Sequence, residues 1–153
     1  MSRVARAARV ASRTRPEEIT AATTLSAADT GKLFLINYNA GATIQVTLPP
    51  VQEGAFFRFL TMNGSLAAAS SQVDIASADG AGTMKGTILC LVSASEGVDT
   101  EIATNKDDGT DTKISLIGNT MHVGTYVEIH CDGTNWQVDG VAIASARTKA
   151  VFA

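Results

Sequence analysis

Residues 126–139, YVEIHCDGTNWQVD, place two short alternating runs on either side of Asp132-Gly133. In the first run Val127, Ile129 and Cys131 fall on one face, with Tyr126, Glu128 and His130 on the other. In the second, Trp136 and Val138 share a face. A period of two marks a half-buried strand, because successive side chains of an extended chain point to opposite sides. Asp-Gly between two such runs favours a two-residue type I′ turn, so the stretch predicts a hairpin of strands 126–131 and 134–139.

The same period recurs upstream. Residues 43–48 (TIQVTL) alternate with Ile44, Val46 and Leu48 inward, and Pro49-Pro50 stops the ladder by removing two donors. Residues 32–38 (KLFLINY) are almost continuously apolar, as in a strand buried on both faces. Residues 55–61 (AFFRFLT) run up to the turn signal Asn63-Gly64, and shorter strands are expected near 73–75, 87–92, 98–103 and 113–117. Only residues 25–31 (LSAADTG) read as helical, a single turn with capping-box spacing between Ser26 and Asp29 and a stop at Gly31. The Thr/Ser/Ala/Gly-rich stretch 64–83 reads as a long surface loop, and no internal repeat stands out. Together these features predict an all-β chain, an antiparallel β-sandwich or small barrel with an extended basic N-terminal arm. The expected division is an arm over 1–23, a β-rich body over 24–141, and a C-terminal strand or tail over 142–153.

A chain of 153 residues is long enough to bury roughly two-thirds of its unfolded surface without metals or disulfides. Aromatic residues make up only 5%, so the core must rest on Val, Ile, Leu and Ala. Cys90 and Cys131 are too few and too far apart for a disulfide framework or zinc site, and two buried thiols are expected. With no run of about 18 apolar residues, no membrane span is expected.

Charge is divided unevenly. The first fifteen residues carry Arg3, Arg6, Arg9, Arg13 and Arg15 and no acid. The chain has 12 basic and 15 acidic side chains, so residues 16–153 hold 7 against 15, a balance of −8. Such asymmetry marks an interaction tail more readily than an active site. Arg3, Arg6, Arg9 and Arg13 would align on one face of a helix, but so short and like-charged a helix is marginal in water and would order on docking. An Arg-rich, acid-free start is also the composition of an organellar transit peptide, whereas the lack of an apolar stretch behind it argues against a secretory signal. Nucleic acid is a possible partner, since phosphates ask only for positive charge. The acidic body and the lack of an aromatic in the arm for base stacking make it the less favoured one.

Residues for catalysis are sparse. Only His122 and His130 are present, and Cys131, next to His130, should point to the opposite sheet face. A nucleophilic relay needs a Ser or Cys and an acid to converge on a histidine, and no spacing here argues for that. The loop Lys106-Asp107-Asp108-Gly109-Thr110-Asp111 has some calcium-loop character, yet it lacks the distal bidentate Glu and is explained by Asp-Gly turn chemistry. No phosphate loop, dinucleotide fingerprint or HExxH occurs. The expectation is a protein that is not an enzyme, with no cofactor and no metal.

The order "TLSAADTGKLFLIN", "ATIQVTLPP", "GAFFRF" and "GTYVEIHCDGTNWQVDG" resembles small β-rich structural proteins of tailed bacteriophages, above all the capsid decoration, or cement, group. The likeness spans residues 24–141, and its most specific element is Gly124–Glu128 running into Asp132–Trp136. Thr125 stands where the resemblance has an acid. Similar endings occur in phage fibre modules, which leaves a tail-fibre or baseplate attachment module as an alternative. The resemblance implies a homo-oligomer, most often a trimer, made in the host cytoplasm and seated on the capsid exterior against the major capsid protein. The arm lies outside the likeness, so its five arginines are assigned to capsid carboxylates on charge alone. Tyr126 and Trp136 are the expected anchors of the body, with Trp136 in the core because it follows a tight turn on an apolar face.

Overall fold

The computed structural model describes residues 16–62, 65–78, 82–93, 100–106, 110–118, 121–144 and 150–153. Among the described residues twelve strands form: β1 (Glu17–Ile19), β2 (Thr23–Thr24), β3 (Leu33–Ile36), β4 (Thr43–Thr47), β5 (Phe56–Thr61) and β6 (Gln72–Ala76), then β7 (Met84–Ser93), β8 (Thr100–Lys106), β9 (Lys113–Ile117), β10 (Tyr126–Cys131), β11 (Trp136–Ala144) and β12 (Ala150–Phe152). Each of the nine stretches read as strands from alternation or apolar runs overlaps one of them. The helical turn expected over 25–31 is a 3₁₀ turn, Ala27–Asp29. The Asp29 carboxylate accepts from the Ser26 backbone N–H at 2.8 Å and from its hydroxyl at 2.7 Å.

The strands build two sheets, a seven-stranded one in the order β1-β3-β5-β10-β11-β7-β8 and a five-stranded one in the order β12-β9-β6-β4-β2. The all-β expectation holds, but the antiparallel one does not. Five neighbour pairs are parallel, namely β1 with β3, β3 with β5, β7 with β11, β2 with β4 and β4 with β6. The first six strands alternate between the sheets, so each returns beside the strand two before it, in the same direction. Parallel neighbours need a crossover rather than a tight turn, and here a strand of the opposite sheet supplies it. The structure is therefore two sheets rather than one closed barrel, and its first half is a winding of the chain, a repeat of structure without a repeat of sequence. The offset from Ile19 to its partner Ile36 is 17 residues, and from Ile36 to Thr61 it is 25.

Two boundaries move. β1 and β2 belong to the sheets, so the body starts by Glu17, inside the segment assigned to the arm. Residues 142–144 continue β11, while β12 pairs with β9 as a C-terminal strand. The loop expected over 64–83 is also interrupted, because β6 lies inside the five-stranded sheet between β4 and β9. Its approach is packed rather than loose. Leu66 is fully buried at a positive φ of 52°, held by its N–H on the Tyr38 carbonyl at 2.8 Å. Ser65 donates its hydroxyl to the Ile36 carbonyl at 2.6 Å.

One buried cluster joins both sheets, with Phe34, Phe57, Phe59, Val127, Ile129 and Trp136 from the larger and Val46, Val73, Ile75, Ile114 and Leu116 from the smaller. Phe34 stacks on Phe59 with ring centres 5.5 Å apart, and Phe57 meets Trp136 at 6.0 Å. So few aromatics count for much when they gather at one point, each such pair adding about 0.5–1.5 kcal/mol beyond its buried area. The Trp136 indole N–H is buried without an acceptor among the described residues, a cost of about 1–3 kcal/mol set against full burial of the largest side chain in the protein. Cys90 and Cys131 are buried thiols outside any disulfide, as expected.

The tightest backbone approach is between β7 and β11. Gly86, at φ +145°, faces Val138 so closely that a Cβ would fall on the Val138 carbonyl. Backbone cannot yield there as a flexible side chain would. Gly86→Ala is therefore expected to destabilise the protein by about 3 kcal/mol or more, whereas Thr87→Ala, the exposed next residue on the same strand, stays within about 0.5 kcal/mol. Urea unfolding of both variants followed by circular dichroism checks the difference.

Candidate functional site

The five arm arginines, Arg3, Arg6, Arg9, Arg13 and Arg15, lie outside the described residues, as do Asp107, Asp108 and Gly109 of the acidic loop. What the structure does place is the hairpin ending and the two outward sheet faces.

The hairpin differs from its expectation. Cys131 pairs with Trp136, so the connection has four residues, Asp132 to Asn135, rather than two. Only Gly133 takes a positive φ, at +96°, whereas a type I′ turn needs two such residues. Asp132 instead acts through its side chain. Its carboxylate accepts from the backbone N–H of Asn135 at 2.7 Å and of Thr134 at 2.8 Å, and from the Gln137 amide at 2.7 Å. Those bonds, the Asn135 one foremost, pull its pKa down to about 2.

Before β10, Thr125 holds a position with no exposed surface. Its hydroxyl accepts from the Ile143 N–H at 2.9 Å and donates toward the Ile143 carbonyl at 3.3 Å. A hydroxyl can do both; a carboxylate could only accept and would face the carbonyl oxygen. This accounts physically for Thr where the resemblance has an acid, and nothing in the sequence disclosed it.

The two outward faces contrast sharply. On the five-stranded sheet the outward positions are Thr43, Gln45 and Thr47 on β4, Gln72, Asp74 and Ala76 on β6, and Lys113, Ser115 and Ile117 on β9. Burial alone raises the Asp74 carboxyl, but bonds from Gln72, Ser115 and Lys113 outweigh it and hold the pKa below its usual value. That face is mainly polar, with Asp74 and Ser115 buried at its centre. The seven-stranded sheet breaks the rule. Leu35, Leu60, Tyr126, Val141 and Leu89 stand side by side in register on five consecutive strands. All point away from the core, and each keeps part of its surface in solvent. Ile143 and Leu91 pair in the next outward row. The turn bearing Val123, which is 58% exposed, abuts that end, with the Cβ position of Gly124 only 3.9 Å from Ile143 Cδ1.

On the other side of the apolar row comes a charged one. Leu33, Arg58, Glu128, Asp139 and Thr87 align across the same five strands. Arg58 meets Glu128 at 3.1 Å and lies 5.4 Å from the centre of the Tyr126 ring. The row beyond holds Phe56, His130, Gln137 and Lys85, with Phe56 and His130 stacked at 4.4 Å. His130 is exposed and Cys131 buried, on opposite faces as their adjacency required. Of the two expected body anchors, Trp136 is in the core and Tyr126 is on this outer face.

Elsewhere, an open groove of about 540 Å³ runs past Leu25, Ala27, Pro49, Pro50, Val51 and Gln52, with no charged group lining it. Among the described residues no three His, Cys, Asp or Glu side chains gather as a metal site would require, and no helix is long and apolar enough to cross a membrane. No family model, curated protein or solved structure matches the chain.

The Asp132 carboxyl gives a pH test with a definite sign. Its folded pKa lies below the ordinary carboxylate value, so its contribution to the hairpin is complete above pH 3.8 and is lost as pH falls through about 2. An NMR titration of the Asp132 carboxyl is expected to show a midpoint near that lower value. In Asp132→Ala, amide exchange at Thr134 and Asn135 should speed up while β5 amides stay protected.

Proposed function

We propose that the protein is a structural virion component that binds the outer surface of a tailed-phage capsid as a homo-oligomer, a trimer, and stabilises the expanded shell. The observation that carries this reading is the division of charge along one chain: five arginines and no acid in the first fifteen residues, ahead of a body with a balance of −8. A sandwich-like body supplies a rigid block, and a basic N-terminal arm supplies reach. The hairpin and strand sequences that resemble decoration proteins support the choice of the major capsid protein as partner.

The physics of such a role is additive. Arginines of the arm make charge-assisted bonds to capsid carboxylates, and a segment that orders on docking can lie along a broad, shallow groove between capsid subunits. Each contact is weak alone. Many copies bridging neighbouring capsomers raise the stability of the whole shell because each held end raises the effective concentration of the next.

Replacing all five arm arginines with Ala tests the reading. The body is expected to keep its circular dichroism spectrum and melting temperature, since the strands begin at Glu17. Five exposed contacts at about 0.3–1 kcal/mol each correspond to a loss of about tenfold or more in capsid affinity, measured by co-sedimentation with expanded shells. Undiminished binding would remove the arm from the mechanism. Copy number against the major shell protein, by quantitative mass spectrometry of particles, is expected in simple lattice proportion. A handful per particle would move the protein to the tail or fibre.

A further inference from the structure

We propose that the outer face of the seven-stranded sheet is the surface on which copies of this chain dock to one another. The inference deepens the self-association in the reading above and rests on that part of it alone; it needs no capsid.

The first argument is the contrast between two faces of one protein. A sheet with one side in water alternates apolar and polar residues, and the five-stranded sheet does so on β4, β6 and β9 except at Ala76 and Ile117. The larger sheet instead presents Leu35, Leu60, Tyr126, Val141 and Leu89 outward in one unbroken row, extended by Ile143 and Leu91. The one large hydrophobic residue that is mostly exposed among those described, Val123, sits at the end of the same patch. Contiguous apolar surface of this kind marks a contact site rather than chance exposure.

Charge identifies the occupant. Between β3 and β7 the face carries Arg58 and Lys85 against Glu128 and Asp139, two of each sign, with Glu18 of β1 beside Leu35 at its edge, on a body whose balance is −8. A nucleic acid would ask for a positive surface, and a basic arm would ask for a negative one. A balanced face is where two equally acidic copies can meet without repulsion. Arg58 and Glu128 already pair within the chain, whereas among the described residues no salt bridge engages Lys85 or Asp139. These two lie on adjacent strands, one outward row apart. Around a rotation axis, Lys85 of one copy can meet Asp139 of another, a reciprocal arrangement that identical chains favour.

Size sets the strength. Five strands about 4.8 Å apart and four outward rows about 6.8 Å apart make a face of roughly 20 by 20 Å. That projected area is about half of the ~800 Å² per partner of a standard interface, so association is expected at micromolar rather than nanomolar concentration.

Sedimentation velocity of the full chain without capsids, up to roughly 100 μM, is the test. The wild type is expected to form a dimer or trimer. Leu60→Glu should weaken association about a hundredfold or more by placing a charge in the apolar row. Val141→Thr, which keeps strand-compatible shape, should weaken it several-fold, and both should retain the wild-type melting temperature. The reversals Lys85→Asp and Asp139→Lys should each weaken association, and their combination should restore it. A chain that stays monomeric throughout, or an oligomer indifferent to these substitutions, would overturn the proposal. Capsid binding by a monomer would remove this face and leave the virion reading standing; an oligomer dispersed by Leu60→Glu that ignores capsids would do the reverse.

Discussion

Two parallel strands cannot be joined by a tight turn, and most of this architecture follows from that constraint. Because β1, β3 and β5 run in the same direction, the chain must leave the sheet after each and return, and it uses the return to lay down β2 and β4 in the sheet opposite. Both sheets therefore grow together around a shared interior, and neither could form first without the other. The large share of contacts between residues distant in sequence makes for slow folding relative to a hairpin-built body. The antiparallel pairing of β5 with β10 then joins this winding to the second half, where β10, β11, β7 and β8 complete the larger sheet.

Strand positions were legible in the sequence because alternation is a local property. TIQVTL and YVEIHC show which residues face inward whatever lies beside them. Partners were not legible, since alternation looks alike for parallel and antiparallel neighbours. The winding left no sequence period either, because its coils differ in length and each loop between them carries its own local chemistry. At 64–83 small polar residues imply a loop around the strand expected near 73–75, while in the structure the approach to that strand is itself packed, with Leu66 fully buried. Asp-Gly in sequence implies a backbone turn, whereas the Asp132 side chain is the group that organises it.

The outer face shows the same limit from another side. Leu60, Tyr126, Val141 and Leu89 are each unremarkable in their own strands, and three of them break local alternation only slightly. Their alignment depends on register between strands that are far apart in the chain, and register is a tertiary property. The basic composition of the first fifteen residues, by contrast, is evident from counting alone. Sequence thus reveals a feature concentrated in one segment and conceals one assembled from many.

The place of β1 has a mechanical consequence. It is the edge strand of the larger sheet, three residues long, parallel to β3 and directly preceded by Pro16. A load applied at Pro16 therefore reaches the ladder first at this strand. Tension along the strand axis strains its ladder bonds together, in shear, so that they fail as a set. Tension perpendicular to the sheet peels them one after another at far lower force. Lys32, bonded to both Glu17 and Asp29, rivets the point where peeling would start. The protein's resistance to being pulled away thus depends on the direction of the pull as well as on how tightly it is held.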